Sequence, residues 1–247
     1  MLDTIKKYFH KSDTLIYEKN AEDAYDLWSE NYDNQPGNLM LDLDEIIFSG
    51  LLKEINIENK IVADIGCGTG RHWEKMFNEH PKLLTGFDVS EGMLNKLKEK
   101  FPSARVKKIS DNIFKKEPDN YYDVIISTLT IAHIENVTEA ISAWSRILKK
   151  GGDIVITDFH PALLAHGGKR TFKVDQHHFA VTNFVHSVDE INNLLRAANL
   201  FIINKIEKRI DEPVKHYYQK QNALDIFNKF KGEPVIYGLH AKKNDTE

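Results

Sequence analysis

A chain of 247 residues, 41% of them hydrophobic, is long enough to bury a full core, and one α/β domain with additions accounts for the length. A formal net charge of −4 gives no overall pull toward nucleic acid or a membrane surface, and no apolar run approaches a membrane span. The single cysteine, Cys67, excludes internal disulfides and an iron–sulfur cluster held by several thiolates of this chain.

Lys6, Lys7 and Lys11 are followed by no apolar h-region, so the N-terminus does not read as a signal peptide and a cytoplasmic location is expected. Residues 1 to about 20 mix polar and apolar types, with Ile5, Tyr8 and Phe9 on one possible helical face. Ala21 to Asp33 has helical spacing, with Tyr25, Trp28 and Tyr32 forming an aromatic stripe, and Pro36-Gly37-Asn38 ends it. Leu39 to Ile55 predicts another helix, so residues 1–55 are expected to form an N-terminal helical cap on the domain of residues 56–247.

Ile61 to Ile65 is a short apolar run with β-branched residues, the pattern of a central parallel strand. Gly66, Gly68 and Gly70 follow at alternate positions, and Trp73, Met76 and Phe77 then take up helical spacing. Glycines there let the backbone approach a ligand closely, and the N–H groups opening the helix favour an anionic group. A dinucleotide fingerprint would place its third glycine where Arg71 stands, which disfavours a nicotinamide dehydrogenase. Leu83 to Asp88 is a second strand ending on an acid, at the distance where such folds set a carboxylate against ribose hydroxyls. Ser90 and Glu91 suit a helix start.

The acid Asp64 two residues before G-x-G-x-G, with Asp88 ending the next strand, resembles the class I S-adenosylmethionine-dependent methyltransferases, the small-molecule type in particular. The resemblance implies a Rossmann-like, doubly wound α/β fold. Its seven-stranded sheet is mostly parallel with the last strand antiparallel. Asp64, Gly66, Cys67, Gly68, Gly70 and Arg71 would surround the methionine end of the cofactor, with Cys67 itself a small packing residue. Asp88 would take the ribose, and Val89 and Met93 would lie near the adenine. Tyr32 would close over the methionine end, with Tyr25 as a competing copy of the same Tyr-Asp pair.

Arg105 to Ile109 reads as the third strand, and Asp111, Asn112 and Ile113 follow it. The resemblance gives Asp111 a bond to the adenine amino group, the reading preferred here; on the residues alone it is an Asx-turn or a helix cap. Tyr122 to Ser127 is the fourth strand, and Ser127 to His133 forms the loop at its carboxyl end, where open α/β sheets bind ligands. The loop has no Asp/Asn-Pro-Pro-aromatic run, which counts against DNA amino-methylation. His133 is the catalytic candidate, either a base for the acceptor or a hydrogen-bonded residue shaping the loop.

Glu139 to Lys149 is amphipathic, and Asp153 to Asp158 is the fifth strand. Residues 159–187 leave the repeating pattern through Gly167-Gly168 and predict a β-hairpin insertion that covers the substrate pocket. His160 and His178, with Tyr25 and Trp28, are the candidate substrate contacts. The histidines form no metal-ligand pair, so no metal is expected. Leu200 to Lys208 and Pro234 to Ala241 complete the sheet as an antiparallel pair.

The implied reaction moves a methyl group from S-adenosylmethionine to an oxygen or nitrogen of a small molecule, leaving S-adenosylhomocysteine. RNA (tRNA) methylation and a non-catalytic cofactor-binding protein are the alternatives. The expected state is a monomer or homodimer, with neither membrane nor nucleic acid as a partner.

Overall fold

The computed structural model describes residues 15–245. The expected face of Ile5, Tyr8 and Phe9 lies outside them. The main sheet contains β2 (Ile61–Ile65), β3 (Leu83–Asp88), β4 (Arg105–Lys108), β5 (Tyr122–Thr128), β6 (Leu148–Phe159), β9 (Leu200–Arg209) and β10 (Pro234–Lys243). Their spatial order is β4-β3-β2-β5-β6-β10-β9. The first five run parallel, and β10 lies antiparallel to both β6 and β9. Seven strands, mostly parallel with an antiparallel last strand, agree with the expected fold. Strand order reverses between β2 and β5, so the crevice beyond their carboxyl ends is where such a sheet receives a ligand.

Period-two alternation splits the apolar residues between the two faces of the sheet. Val62, Leu84, Val124, Ile126 and Val155 pack with the helices α2 (Leu39–Leu52), α3 (Trp73–Asn78) and α4 (Glu91–Lys100). Ala63, Ile65, Phe87, Ile125 and Ile156 pack on the other side with α5 (Val137–Ile147) and α7 (Val188–Ala197). Side-chain oxygens start these helices: Asn38 caps α2, Ser90 α4, Asn136 α5 and Ser187 α7. α6 (Pro161–Ala165) follows β6, and α8 (Lys215–Lys220) and α9 (Leu224–Phe230) bridge β9 and β10.

A second, three-stranded sheet has the order β1-β8-β7, from β1 (Ile16–Lys19), β7 (Thr171–Val174) and β8 (His177–Val181). β7 and β8 form the expected hairpin, turning at Asp175 with φ +53°. β1 joins it in parallel, Ile16 facing His178 and Lys19 facing Val181. The N-terminal segment therefore contributes a strand as well as helices. The sequence hides this because four residues of mixed polarity become a strand only beside a partner 162 positions away. Trp28 and Ala24 of α1 (Ala21–Trp28) fill a small core against Phe172 and Val181, with Tyr25 and Tyr32 packed on it.

Candidate active site

The turn after β2 is tied to the end of β3. The Gly66 and Cys67 N–H groups both donate to the Phe87 carbonyl, at 2.7 and 3.1 Å. Gly66 takes φ +73°, and a Cβ there would overlap the Thr130 side chain, so this position has room for nothing larger. Asp88 Oδ2 accepts from the Gly68 N–H at 2.8 Å, and Oδ1 accepts from the Ser90 N–H at 2.9 Å. Burial outweighs these bonds and raises its pKa to about 6. Asp64 accepts from the Trp73 indole N–H at 2.7 Å and is likewise pushed up to about 6, by burial first. Cys67 lies between these acids; burial, then Asp88 and Asp64, raise its thiol well above the ordinary range, so it stays protonated and inert.

These groups form one wall of a cleft enclosing about 850 Å³, part of it open to solvent. Asp64, Gly66, Cys67, Gly68, Arg71, Asp88, Val89, Met93 and Asn112 line it, as do Tyr25, Tyr32 and His133. Glycines that admit a ligand's backbone-close approach, with two buried carboxylates beside apolar side chains such as Val89, Met93 and Ile109, fit a ligand carrying cationic, hydroxyl and aromatic groups, as S-adenosylmethionine does.

The remaining candidates lie elsewhere. Gly70 packs against Leu97 and Trp73. Asp111 is exposed, and its carboxylate accepts from the Ile113 N–H at 2.9 Å, an Asx-turn. Ser127 is fully buried under the loop. Trp28 stacks on Phe172 with ring centroids 4.6 Å apart. His160 caps α6 through Nδ1 and faces Glu207 at 3.7 Å, while His178 lies on the hairpin opposite Lys173.

Leu129 and Thr69 line the cleft without a sequence signal of their own, and acids outside it brace the turn. Leu129 holds φ +54°, a left-handed conformation that a branched side chain rarely takes, in the loop after β5. Thr69 donates to Asp33 at 2.6 Å, joining the glycine turn to the segment after α1. Asp26 of α1 accepts from the Ser90 hydroxyl at 2.6 Å and from the Gly92 N–H at 2.9 Å. Beneath Arg71, the fully buried Asp44 accepts from Arg71, from His72 Nε2 at 2.9 Å and from Thr157. Burial opposes its charge, but the bonds from His72 and the Arg71 guanidinium win and hold its pKa well below the carboxylate range.

The opposite wall is built from three distant segments. His133 ends a single 3-10 turn (Ile131–His133), braced where Asp158 accepts from the Ala132 N–H at 2.8 Å. His133 Nε2 is 2.9 Å from the Tyr25 hydroxyl, and Nδ1 is 3.1 Å from the Thr182 carbonyl in the insertion. Burial lowers its pKa to about 4, so the ring is neutral at physiological pH. Burial likewise pushes the Tyr25 phenol upward. Arg170, 4% exposed, has its guanidinium 5.3 Å from the Trp28 and Tyr32 ring centres and donates to the Tyr32 hydroxyl at 2.7 Å. Arg170 had no sequence motif around it; only the fold brings it to the aromatic stripe.

Residues 63–156 match the family model described as a methyltransferase domain. The chain is 29% identical over 168 residues to a malonyl-[acyl-carrier protein] O-methyltransferase of Ilyobacter polytropus, an alignment spanning 67% of this chain and 59% of that one. It is 28% identical over 152 residues to the ubiquinone/menaquinone biosynthesis C-methyltransferase UbiE of Campylobacter jejuni, spanning 59% of this chain and 62% of that one. The chain thus covers less than two thirds of either relative's length. Its fold is similar to the crystal structure of the [4+2]-cyclase SpnF, with a TM-score of 0.66, 16% identity and coverage of 94% of this chain and 99% of that one. Sheet order and matched domain agree: residues 63–156 match a methyltransferase domain, and the chain has the Rossmann-like fold of S-adenosylmethionine-dependent methyltransferases.

Proposed function

We propose that the protein transfers the methyl group of S-adenosylmethionine to an oxygen or nitrogen of a small-molecule acceptor. The observation carrying this reading is the shared cleft, in which the glycine turn and its carboxylates face Tyr25, Tyr32 and His133 across one space. When bound, the cofactor supplies a methyl group already activated by the sulfonium charge. The chain's own residues then have to hold the two partners in line and exclude water. Asp64 and the Gly66–Gly68 turn would seat the methionine end, Asp88 the ribose hydroxyls and Asn112 the adenine edge. Tyr25, Tyr32 and His133 would face the acceptor, under the hairpin.

The relatives' names support methyl transfer and differ in the atom methylated, an oxygen in one and a carbon in the other. RNA is the weaker reading. Lysine pairs at positions 107–108, 115–116 and 149–150 are the residues that could meet phosphate, and Lys107, Lys108 and Lys149 are engaged by Glu117, Glu22 and Asp123.

Incubation with methyl-labelled cofactor and fractionated cell metabolites tests the proposal. Label is expected in a small organic product. Label in RNA, or saturable cofactor binding with no labelled product from any fraction, would overturn it.

A further inference from the structure

Hydrogen-bond direction gives the two cleft tyrosines opposite polarity. The Thr182 carbonyl can only accept, so His133 Nδ1 carries the ring hydrogen and Nε2 is a bare lone pair. The Tyr25 hydroxyl must therefore donate to Nε2, which leaves its oxygen lone pairs for the cleft. Tyr32 is the reverse. Its oxygen accepts from the Arg170 guanidinium, so its own O–H is the part available to a ligand, and the cation behind strengthens it as a donor. One wall thus offers an acceptor atom at Tyr25 and a donor at Tyr32.

We infer that the methyl acceptor is a hydroxyl-type oxygen (alcohol, phenol or enol) which accepts from Tyr32 and passes its proton to Tyr25 Oη, with His133 Nε2 receiving Tyr25's own proton. This rests on the methyl-transfer reading and deepens it. A hydroxyl oxygen has two lone pairs, one for the Tyr32 O–H and one for attack, and a hydrogen for Tyr25. A neutral amine has a single lone pair, and attack consumes it, so Tyr32 would have nothing to bond. A carboxylate has no hydrogen and would face the Tyr25 lone pairs. In the transfer the oxygen–methyl bond forms as the sulfur–methyl bond breaks, with the bonding pair remaining on sulfur. The positive charge lost from the sulfonium reappears on the His133 imidazole, so the net charge of the site is unchanged. Tyr25 is the residue that touches the acceptor; His133 acts through it. Burial and the nearby Arg170 then favour release of that proton to water.

The full chain, labelled with [15N]histidine and saturated with S-adenosylhomocysteine, tests this with phenol, anisole and benzoate as probes. The His133 nitrogens are expected to show the Nδ1–H form and to shift on phenol binding. Anisole and benzoate, which have no hydrogen for Tyr25, should bind roughly tenfold more weakly, the worth of about one hydrogen bond. Tyr25→Phe, shown folded by circular dichroism, should remove the phenol-induced shift at His133, and Tyr32→Phe should lower phenol affinity by a similar factor. Benzoate or anisole binding as tightly as phenol, no phenol binding, or an unchanged shift in Tyr25→Phe would overturn the assignment. If labelled cofactor yields no product from any fraction, methyl transfer itself fails. If label reaches a nitrogen or a carboxylate, methyl transfer stands and the hydroxyl assignment falls.

Discussion

The two walls of the cleft are built in different ways. The wall proposed to hold the cofactor comes mostly from one continuous stretch, from Asp64 to Met93, in which strand, turn, strand and helix start follow each other and the β3 carboxylate braces the β2 turn. The wall proposed to face the acceptor takes Tyr25 and Tyr32 from the N-terminal segment, His133 from the loop after β5, and Arg170 and Thr182 from the insertion. A local wall keeps its geometry through backbone hydrogen bonds, whereas a composite wall depends on three segments meeting correctly. The first should be robust in shape and readable in sequence; the second should be neither.

Asp44 gives the strongest way to break this contrast, because the cofactor wall also leans on it from α2. Asp44→Ala leaves Arg71 and His72 without their buried partner, and a loss of about 3–5 kcal/mol is expected by urea denaturation. A loss near zero would mean that the turn stands without outside support. Asp88→Ala should weaken cofactor binding at least about 100-fold in calorimetry, since charge-assisted bonds are each worth roughly 1.5–3 kcal/mol. Unchanged affinity would remove the ribose assignment. His133→Ala should lower turnover by about 100-fold, at the small end of acid–base effects, and leave cofactor affinity within about twofold of wild type. A matching fall in affinity would show that the walls are not separable.

Acidity sharpens the comparison further. Asp64 and Asp88 titrate near 6 in the free protein, and a cationic cofactor favours their ionised forms. Cofactor affinity should therefore be full above pH 6 and fall as pH drops, by up to about tenfold per pH unit for each acid that must lose its proton. His133, with its pKa near 4, stays neutral through the same window, so the acceptor wall should not titrate there. Cofactor affinity constant from pH 7 to pH 5 would contradict the first half of this statement.

The same contrast explains what the sequence made legible. The seven strands, the glycine turn and Asp88 were readable because each rests on local patterning: apolar runs, φ-permissive residues and an acid at a strand end. Arg170 and Thr182 could not be read, since nothing near them in the chain marks them and their partners lie at positions 32 and 133. Leu129 was hidden for another reason, as its left-handed backbone violates its own local preference. Asp111 shows the limit of analogy. It occupies the expected position after β4, yet its carboxylate turns to the Ile113 N–H, and Asn112 lines the cleft beside it.

The N-terminal segment is fastened at both of its ends. β1 runs beside β8 in the insertion, while Asp26 and Asp33 grip Ser90, Gly92 and Thr69 at the opposite rim. A strap anchored on both banks cannot be lifted from one without straining the other. Under the proposed assignment, the donor's seat and the acceptor's seat are therefore both bordered by the same eighteen residues from Ile16 to Asp33, so loosening that segment should disturb both.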